Sequence, residues 1–245
     1  MNIPSTRAFR EYVDTIENKK VADTIKTLYL LAARPIEICT KSCPADIERG
    51  LKPYGQYIDC SLGDWKYRDS KGEDKTEKVL LVKSAVAKRK LKRKAKEGEA
   101  NVVFKMVALP TSYAIEPWSY DLCLRIEKYG TLALDRTRHT LWQRCRDALS
   151  PLEPSVNAKS LRHWRITSLV KDYSMTPYQL VAFTGWSFSY GVGSMTGQPV
   201  GQLQTYLHLS WQTYFQNLMR SLSEVYGYSA MQSPPQRAWS LRSAR

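Results

Sequence analysis

The side chains able to do chemistry in this chain are basic and phenolic rather than imidazole or acidic. Histidine occurs only at His139, His163 and His208, and none of these stands in an HExxH, GxSxG or Ser/His/Asp arrangement. Asp135, Asp147 and Glu153 sit at no spacing that would gather metal ions for nuclease chemistry. Cys39-xxx-Cys43 could begin a metal site, but no second pair or nearby histidine completes a zinc ligand set. Arginine, lysine and tyrosine remain, and they suffice for phosphoryl transfer without metal or cofactor. A tyrosine hydroxyl attacks the phosphorus while guanidinium groups neutralise the charge of the pentacoordinate state. A lysine then protonates the departing 5′-oxygen.

The charge balance names the substrate class. The 245 residues carry 37 Lys+Arg against 23 Asp+Glu, a net charge of +14. Nucleic acid is the commonest partner of such an excess, because phosphates reward basic groups by releasing counterions. An anionic membrane surface would come with a basic amphipathic helix or a lipidation motif, and the sequence shows neither. No apolar run approaches the roughly 20 residues of a membrane span, and the start MNIPSTRAFREY lacks the apolar stretch of a signal peptide. The cysteines at 39, 43, 60, 123 and 145 are odd in number and form no CxxC pair. Reduced thiols in an intracellular protein are the simpler reading. With 43% hydrophobic and 11% aromatic residues the chain has the means to bury a core.

These groups need a scaffold, and the hydrophobic pattern supplies one. Residues 7–48 read as helical, with Val21, Ile25, Leu28, Tyr29 and Ala32 at helical spacing and Pro44 closing the segment. Residues 57–62 are short and β-compatible, 70–73 read as a turn, and 78–86 and 101–110 look like two strands. Between those strands lies KRKLKRKAKEGE, residues 88–99. It reads both as a solvated hairpin tip and as a finger reaching along a phosphate backbone. Helices follow at 120–128, 137–149, 157–173, 176–184 and 203–226, with Pro151 and Pro154 as breaks. The Gly-rich loop 190–199 lacks the GK[ST] ending of a phosphate-cradling loop. Residues 232–245 read as a flexible basic tail. The expected fold is therefore mainly α with a small three-stranded antiparallel β-sheet, an α+β arrangement. It forms one domain over 1–231, with a basic hairpin at about 78–110.

Four segments resemble, in order, the motifs of one enzyme family. Leu31-Ala32-Ala33-Arg34-Pro35-Ile36-Glu37-Ile38 resembles the TGxRxxEl box of the tyrosine recombinases, the phage-integrase family. Lys159-Ser160-Leu161-Arg162-His163-Trp164-Arg165 resembles their HxLRHTxAT box, with Lys159 in the usual His position and Arg162 matching the second catalytic arginine. Phe183-Thr184-Gly185-Trp186-Ser187 resembles LGHS, with Trp where His is usual, and Thr205-Tyr206-Leu207-His208 resembles the nucleophile segment. The resemblance covers roughly residues 10–225. Lys159 in place of His points toward the archaeal viral and plasmid integrases.

The resemblance implies a site-specific DNA recombinase that cleaves and rejoins DNA through a 3′-phosphotyrosine. Tyr206 would be the nucleophile, with Tyr190 and Tyr214 as alternatives. Arg34 and Arg162 would clamp the non-bridging oxygens, Lys159 would add a phosphate contact, and Trp186 would buttress the site. Lys88 would be the general acid, with Lys83 and Lys90 as alternatives in the hairpin. Lys83, Arg89, Lys90, Lys92, Arg93 and Lys94 would bind DNA. The partners implied are double-stranded DNA and further copies of the chain, as a dimer or tetramer on DNA, in the nucleoid-associated cytoplasm of a host cell. The family's N-terminal DNA-clamping domain is absent, so the chain reads as an isolated catalytic domain or a minimal enzyme. A type IB topoisomerase shares this chemistry, and a non-catalytic DNA-binding relative would share the fold.

Overall fold

The structure is a computed structural model that describes residues 4–68, 72–87 and 102–185. Its centre is a helix that the other described helices surround. Helix α1 (Thr6–Asp14) starts at Ser5, whose hydroxyl accepts from the Ala8 N–H. Helix α2 (Lys19–Leu30) starts at Asn18, whose side chain accepts from the Val21 N–H. These caps satisfy donors that a first helical turn leaves open. From Val21 onward α2 is buried on nearly every side, with Ile25, Leu28 and Leu30 fully enclosed. It packs against α1, α5 (Pro117–Tyr129), α6 (Arg138–Leu149) and α7 (Ala158–Lys171).

Aromatic rings lock this arrangement. Phe9 of α1 meets Tyr29 of α2, Trp118 of α5 and Trp164 of α7 at centroid distances of 4.9, 5.7 and 5.2 Å. Beside them, Arg10 forms a buried ion pair with Glu116, and Lys26 bridges Asp14 (2.9 Å) and Asp121 (2.6 Å). The Trp118 indole N–H donates to Asp14 at 3.0 Å. Charges removed from water this way must find partners, and here they tie α1, α2 and α5 together.

The single helical reading of 7–48 is corrected to four helices and a strand. Pro35 lacks an N–H and biases the residue before it toward extended backbone, so α2 cannot run through Arg34. Arg34 is indeed extended (ψ 148°), and a short helix α3 (Pro35–Ile38) starts after it. Strand β1 (Cys39–Lys41) then pairs in parallel with β5 (Leu134–Thr137), an unexpected pairing, and α4 (Pro44–Glu48) follows. Gly55 is required where a 3₁₀ turn crosses this segment. A Cβ there would lie 2.5 Å from the Cys39 carbonyl oxygen.

The expected antiparallel sheet is present, in the order β2-β3-β4. Strands β2 (Asp59–Arg68) and β3 (Asp74–Ala85) run longer than the sequence suggested, and β4 (Phe104–Pro110) completes the sheet. Leu80, Val82 and Ser84 of β3 stand opposite Leu109, Val107 and Lys105 of β4, and directly opposed residues share a face. This face is the buried one. Lys83 and Met106 stand on the other. The later helices begin and end close to expectation, and α8 (Pro177–Thr184) closes the described part of the chain. The fold is thus mixed α+β. Among the described residues no helix is long and apolar enough to cross a membrane.

Candidate functional site

The site is built where α2 ends inside the protein. A helix terminus leaves its last carbonyls without intrahelical partners, and a buried one must find donors elsewhere. Leu31, Ala32 and Ala33 are all fully buried. The Lys105 ammonium donates to the Leu31 carbonyl at 2.6 Å, and the Arg162 guanidinium donates to the Ala32 carbonyl. Two cations therefore terminate the central helix, in the sense its dipole favours. Ala32 itself has a φ of 44°, left-handed backbone that a residue with a Cβ adopts at a cost.

Glu37 gathers the cations. Its carboxylate, wholly enclosed, reaches back to accept from the Arg34 N–H at 2.9 Å, as in a capping box. It also accepts from the Arg34 guanidinium at 2.8 Å and from the Ala87 N–H at 3.0 Å. Arg162 lies 3.9 Å away on the other carboxylate oxygen. Burial alone would raise the Glu37 carboxyl, but Lys105, Arg162 and Arg34 more than offset it and hold it below the ordinary carboxylate range. Burial pulls Lys105 down to about 7, with Glu37 opposing the shift and Arg162 and Arg34 adding to it. Burial likewise lowers Arg162 to about 10, which leaves it charged at neutral pH.

Three basic groups thus surround one carboxylate, an arrangement with positive charge left over for an anion. The exposures differ. Arg34 keeps 30% of its side chain accessible, whereas Arg162 keeps 6%. An anion arriving from solvent meets Arg34 first, with Arg162 behind it. Fixed donors of this kind, in a site largely closed to water, stabilise charge that develops on a phosphoryl group.

Arg34 and Arg162, far apart in the sequence, are brought together. Lys159 is not part of the cluster. It stands exposed on the first turn of α7, and its ammonium makes no ion pair among the described residues. Lys83 lies on the sheet face opposite to Lys105, exposed, with its ammonium 4.7 Å from the centre of the Phe104 ring. It does not meet Glu37 in this structure. Gly185 ends α8 with φ +70°, and a Cβ there would come within 3.1 Å of the Lys105 Cβ. The Phe183–Gly185 segment therefore abuts the same cluster. Lys88, Trp186 and Tyr206, the alternatives Tyr190 and Tyr214, and Arg89, Lys90, Lys92, Arg93 and Lys94 lie outside the described residues, as do helix 203–226 and the tail.

Two members of the cluster were not singled out by sequence reasoning. Glu37 appeared only as a letter of its motif, and Lys105 not at all. The signal for Lys105 is its phase. It shares the inward face of β4 with Val107 and Leu109, where a charge is out of place unless it is paired. Among the described residues no group of three or more His, Cys, Asp or Glu could hold a metal ion. All five cysteines are free thiols, with Cys39, Cys123 and Cys145 buried. The chain matches no protein-family model, no curated protein and no solved structure.

Proposed function

We propose that this chain is a DNA strand-cleaving and strand-rejoining enzyme of the tyrosine-recombinase type, acting without metal or ATP. The observation that carries the reading is the meeting of Arg34 and Arg162 on Glu37 at the buried end of α2. Had the RxxE motif been an ordinary surface ion pair, Glu37 would face solvent, and it does not. The charge of +14 and the basic run at 88–99 support duplex DNA as the substrate.

In this reading the scissile phosphate rests against Arg34, with Arg162 behind it. Tyr206 attacks the phosphorus, forming a 3′-phosphotyrosine and releasing the 5′-oxygen. That oxygen takes a proton from a lysine, and the reverse attack by a 5′-hydroxyl restores the DNA. Bond energy stays in the phosphotyrosine, so no nucleotide is consumed. Assembly of two or four copies on DNA would bring two such breaks together for exchange.

Covalent capture tests the reading. The full chain is incubated with a nicked duplex that cannot religate, and protein–DNA adducts are separated on a denaturing gel. Wild type forms the adduct and Tyr206→Phe does not, while Tyr190→Phe and Tyr214→Phe retain it. No adduct with wild type, despite tight duplex binding, leaves a non-catalytic DNA-binding relative. Relaxation of supercoils without exchange between two matched sites assigns the type IB topoisomerase reaction instead.

A further inference from the structure

A cavity of about 220 Å³ lies where α1 begins and α7 ends, and none of the residues around Glu37 lines it. The buried part of its wall is aromatic. Phe9, Tyr29 and Trp164 stand there, with the Phe9 and Trp164 rings meeting edge to face. Ser5, Thr6, Ser168, Lys171 and Asp172 are among the polar residues of the wall, and Ser5 and Lys171 are exposed. An apolar interior with a few polar groups that fix orientation is the composition of a small-molecule site.

Two buried side chains of this wall carry polar atoms that have no hydrogen-bond partner among the described residues. They are the Trp164 indole N–H and the Ser168 hydroxyl, on residues 3% and 4% exposed. Four residues apart on α7, they share one face of the helix. Buried polar groups are ordinarily paired, so an unpaired couple beside an open space calls for a partner from outside the chain. The indole can only donate, which requires an acceptor on that partner.

The start of α1 adds donors. The Ser5 hydroxyl accepts from the Ala8 N–H and the Ser5 carbonyl from the Phe9 N–H, which leaves the Thr6 and Arg7 N–H groups without an acceptor in the helix. This end of the helix dipole is positive, and the Lys171 ammonium adds a full charge. Asp172 opposes them, but its carboxylate already accepts from the Thr6 hydroxyl. Donors and positive charge therefore predominate, and they suit an anion with an apolar body. A cavity of about 150 Å³ holds benzene. The volume here is large enough for one such ring with a carboxylate attached.

We propose that this cavity binds a small aromatic carboxylate, its ring against Phe9, Tyr29 and Trp164 and its carboxylate on the Trp164 N–H and the Ser168 hydroxyl, beside Lys171 and the start of α1. The inference stands apart from the strand-transfer reading, because no residue assigned to that chemistry lines the cavity. Such a ligand would tie the first helix to the end of α7.

The test is titration of the full chain at neutral pH with three probes, followed by ligand-observed NMR. Benzoate has the ring and the charge, benzamide has the ring alone, and acetate has the charge alone. Benzoate should saturate in the millimolar range, with benzamide and acetate each at least about fivefold weaker. Lys171→Gln, a change at an exposed position, should weaken benzoate about three- to fivefold and leave benzamide unchanged. Trp164→Phe keeps an aromatic wall but removes the donor, and should weaken benzoate about tenfold or more. Arg34→Gln should leave benzoate binding as it is.

Absence of saturable benzoate binding overturns the inference, as does equal affinity for benzoate and benzamide or for benzoate and acetate. Benzoate binding that survives both Lys171→Gln and Trp164→Phe but is lost in Arg34→Gln places the anion on the arginine pair, and likewise overturns it. If Trp164→Phe fails to melt cooperatively, Ser168→Ala takes its place and should also weaken benzoate, while unchanged affinity in that variant and in Lys171→Gln refutes the site.

Discussion

Lys105→Met converts the most unusual group of the site into a neutral side chain of similar length. In the folded chain Lys105 gives up its proton near pH 7, against 10.5 for an ordinary lysine. The unfolded state therefore binds more protons throughout that interval, and stability rises with pH across it, by at most about 1.4 kcal/mol per pH unit. Below pH 7 the buried ammonium carries its full penalty, on the order of 5 kcal/mol when summed over the interval. Above about 10.5 the penalty is gone. Met removes it at every pH but leaves the Leu31 carbonyl without its donor, a loss of about 1–3 kcal/mol. Glu37 keeps Arg34 and Arg162, so it is not stranded. At pH 6 the variant should therefore be more stable than wild type by roughly 2–4 kcal/mol, as the difference between those two terms. The advantage should shrink as pH rises and vanish at about pH 9. Urea unfolding followed by the fluorescence of the buried Trp118 and Trp164 at pH 6, 7, 8 and 9 measures it. Parallel curves would refute the reasoning, because they would place the titration of Lys105 outside this range.

Ala32→Gly relieves left-handed backbone at φ 44°. After the entropy that glycine loses on folding, it should gain about 0.5–1 kcal/mol, or roughly 1–4 °C in Tm. A lower Tm would count against that conformation. Glu116→Leu removes the carboxylate partner of the buried Arg10 guanidinium and should cost about 3–5 kcal/mol, whereas Arg10→Met with Glu116→Leu should recover part of the loss in thermal melts. Arg162→Lys should lower covalent capture at least about a hundredfold through loss of the fork, with duplex affinity within about threefold of wild type. Replacing Lys90, Lys92, Arg93 and Lys94 by Ala should flatten the slope of log K against log salt by about 0.9 for each phosphate that is no longer neutralised. An unchanged slope would make the run a solubilising loop.

How far the sequence reaches depends on whether a signal is local. Arg34 and Arg162 were legible because each sits in a patterned segment, and the structure brings both to Glu37. The β3–β4 hairpin was legible because its apolar runs flank a charged tip. Lys105 was not, because a lysine is expected in the turn. Only the alternation Lys105-Val107-Leu109, opposite Ser84-Val82-Leu80, shows that this one points inward. The parallel pair β1–β5 escaped because three residues are too few to establish a period, and its partner lies far along the chain. The break of the 7–48 segment at Pro35 was written in the sequence, since proline both starts a helix and ends the one before it. That Ala32 would turn left-handed to bring Arg34 around was not.

The end of α2 also bears on how such a site can vary. The N–H groups of Leu31, Ala32 and Ala33 bond back to Thr27, Tyr29 and Leu28, all buried beside the main core. Displacing these residues requires opening the same cooperative unit that holds the protein folded, so their amides should exchange with solvent only through near-global unfolding. The arginine pair consequently inherits the rigidity of the whole domain rather than that of a loop. Rigidity of this origin is difficult to retune piecemeal, since a substitution that shifts the pocket also loosens the core. Variation is therefore confined to exposed positions, while the charged cluster around Glu37 stays fixed.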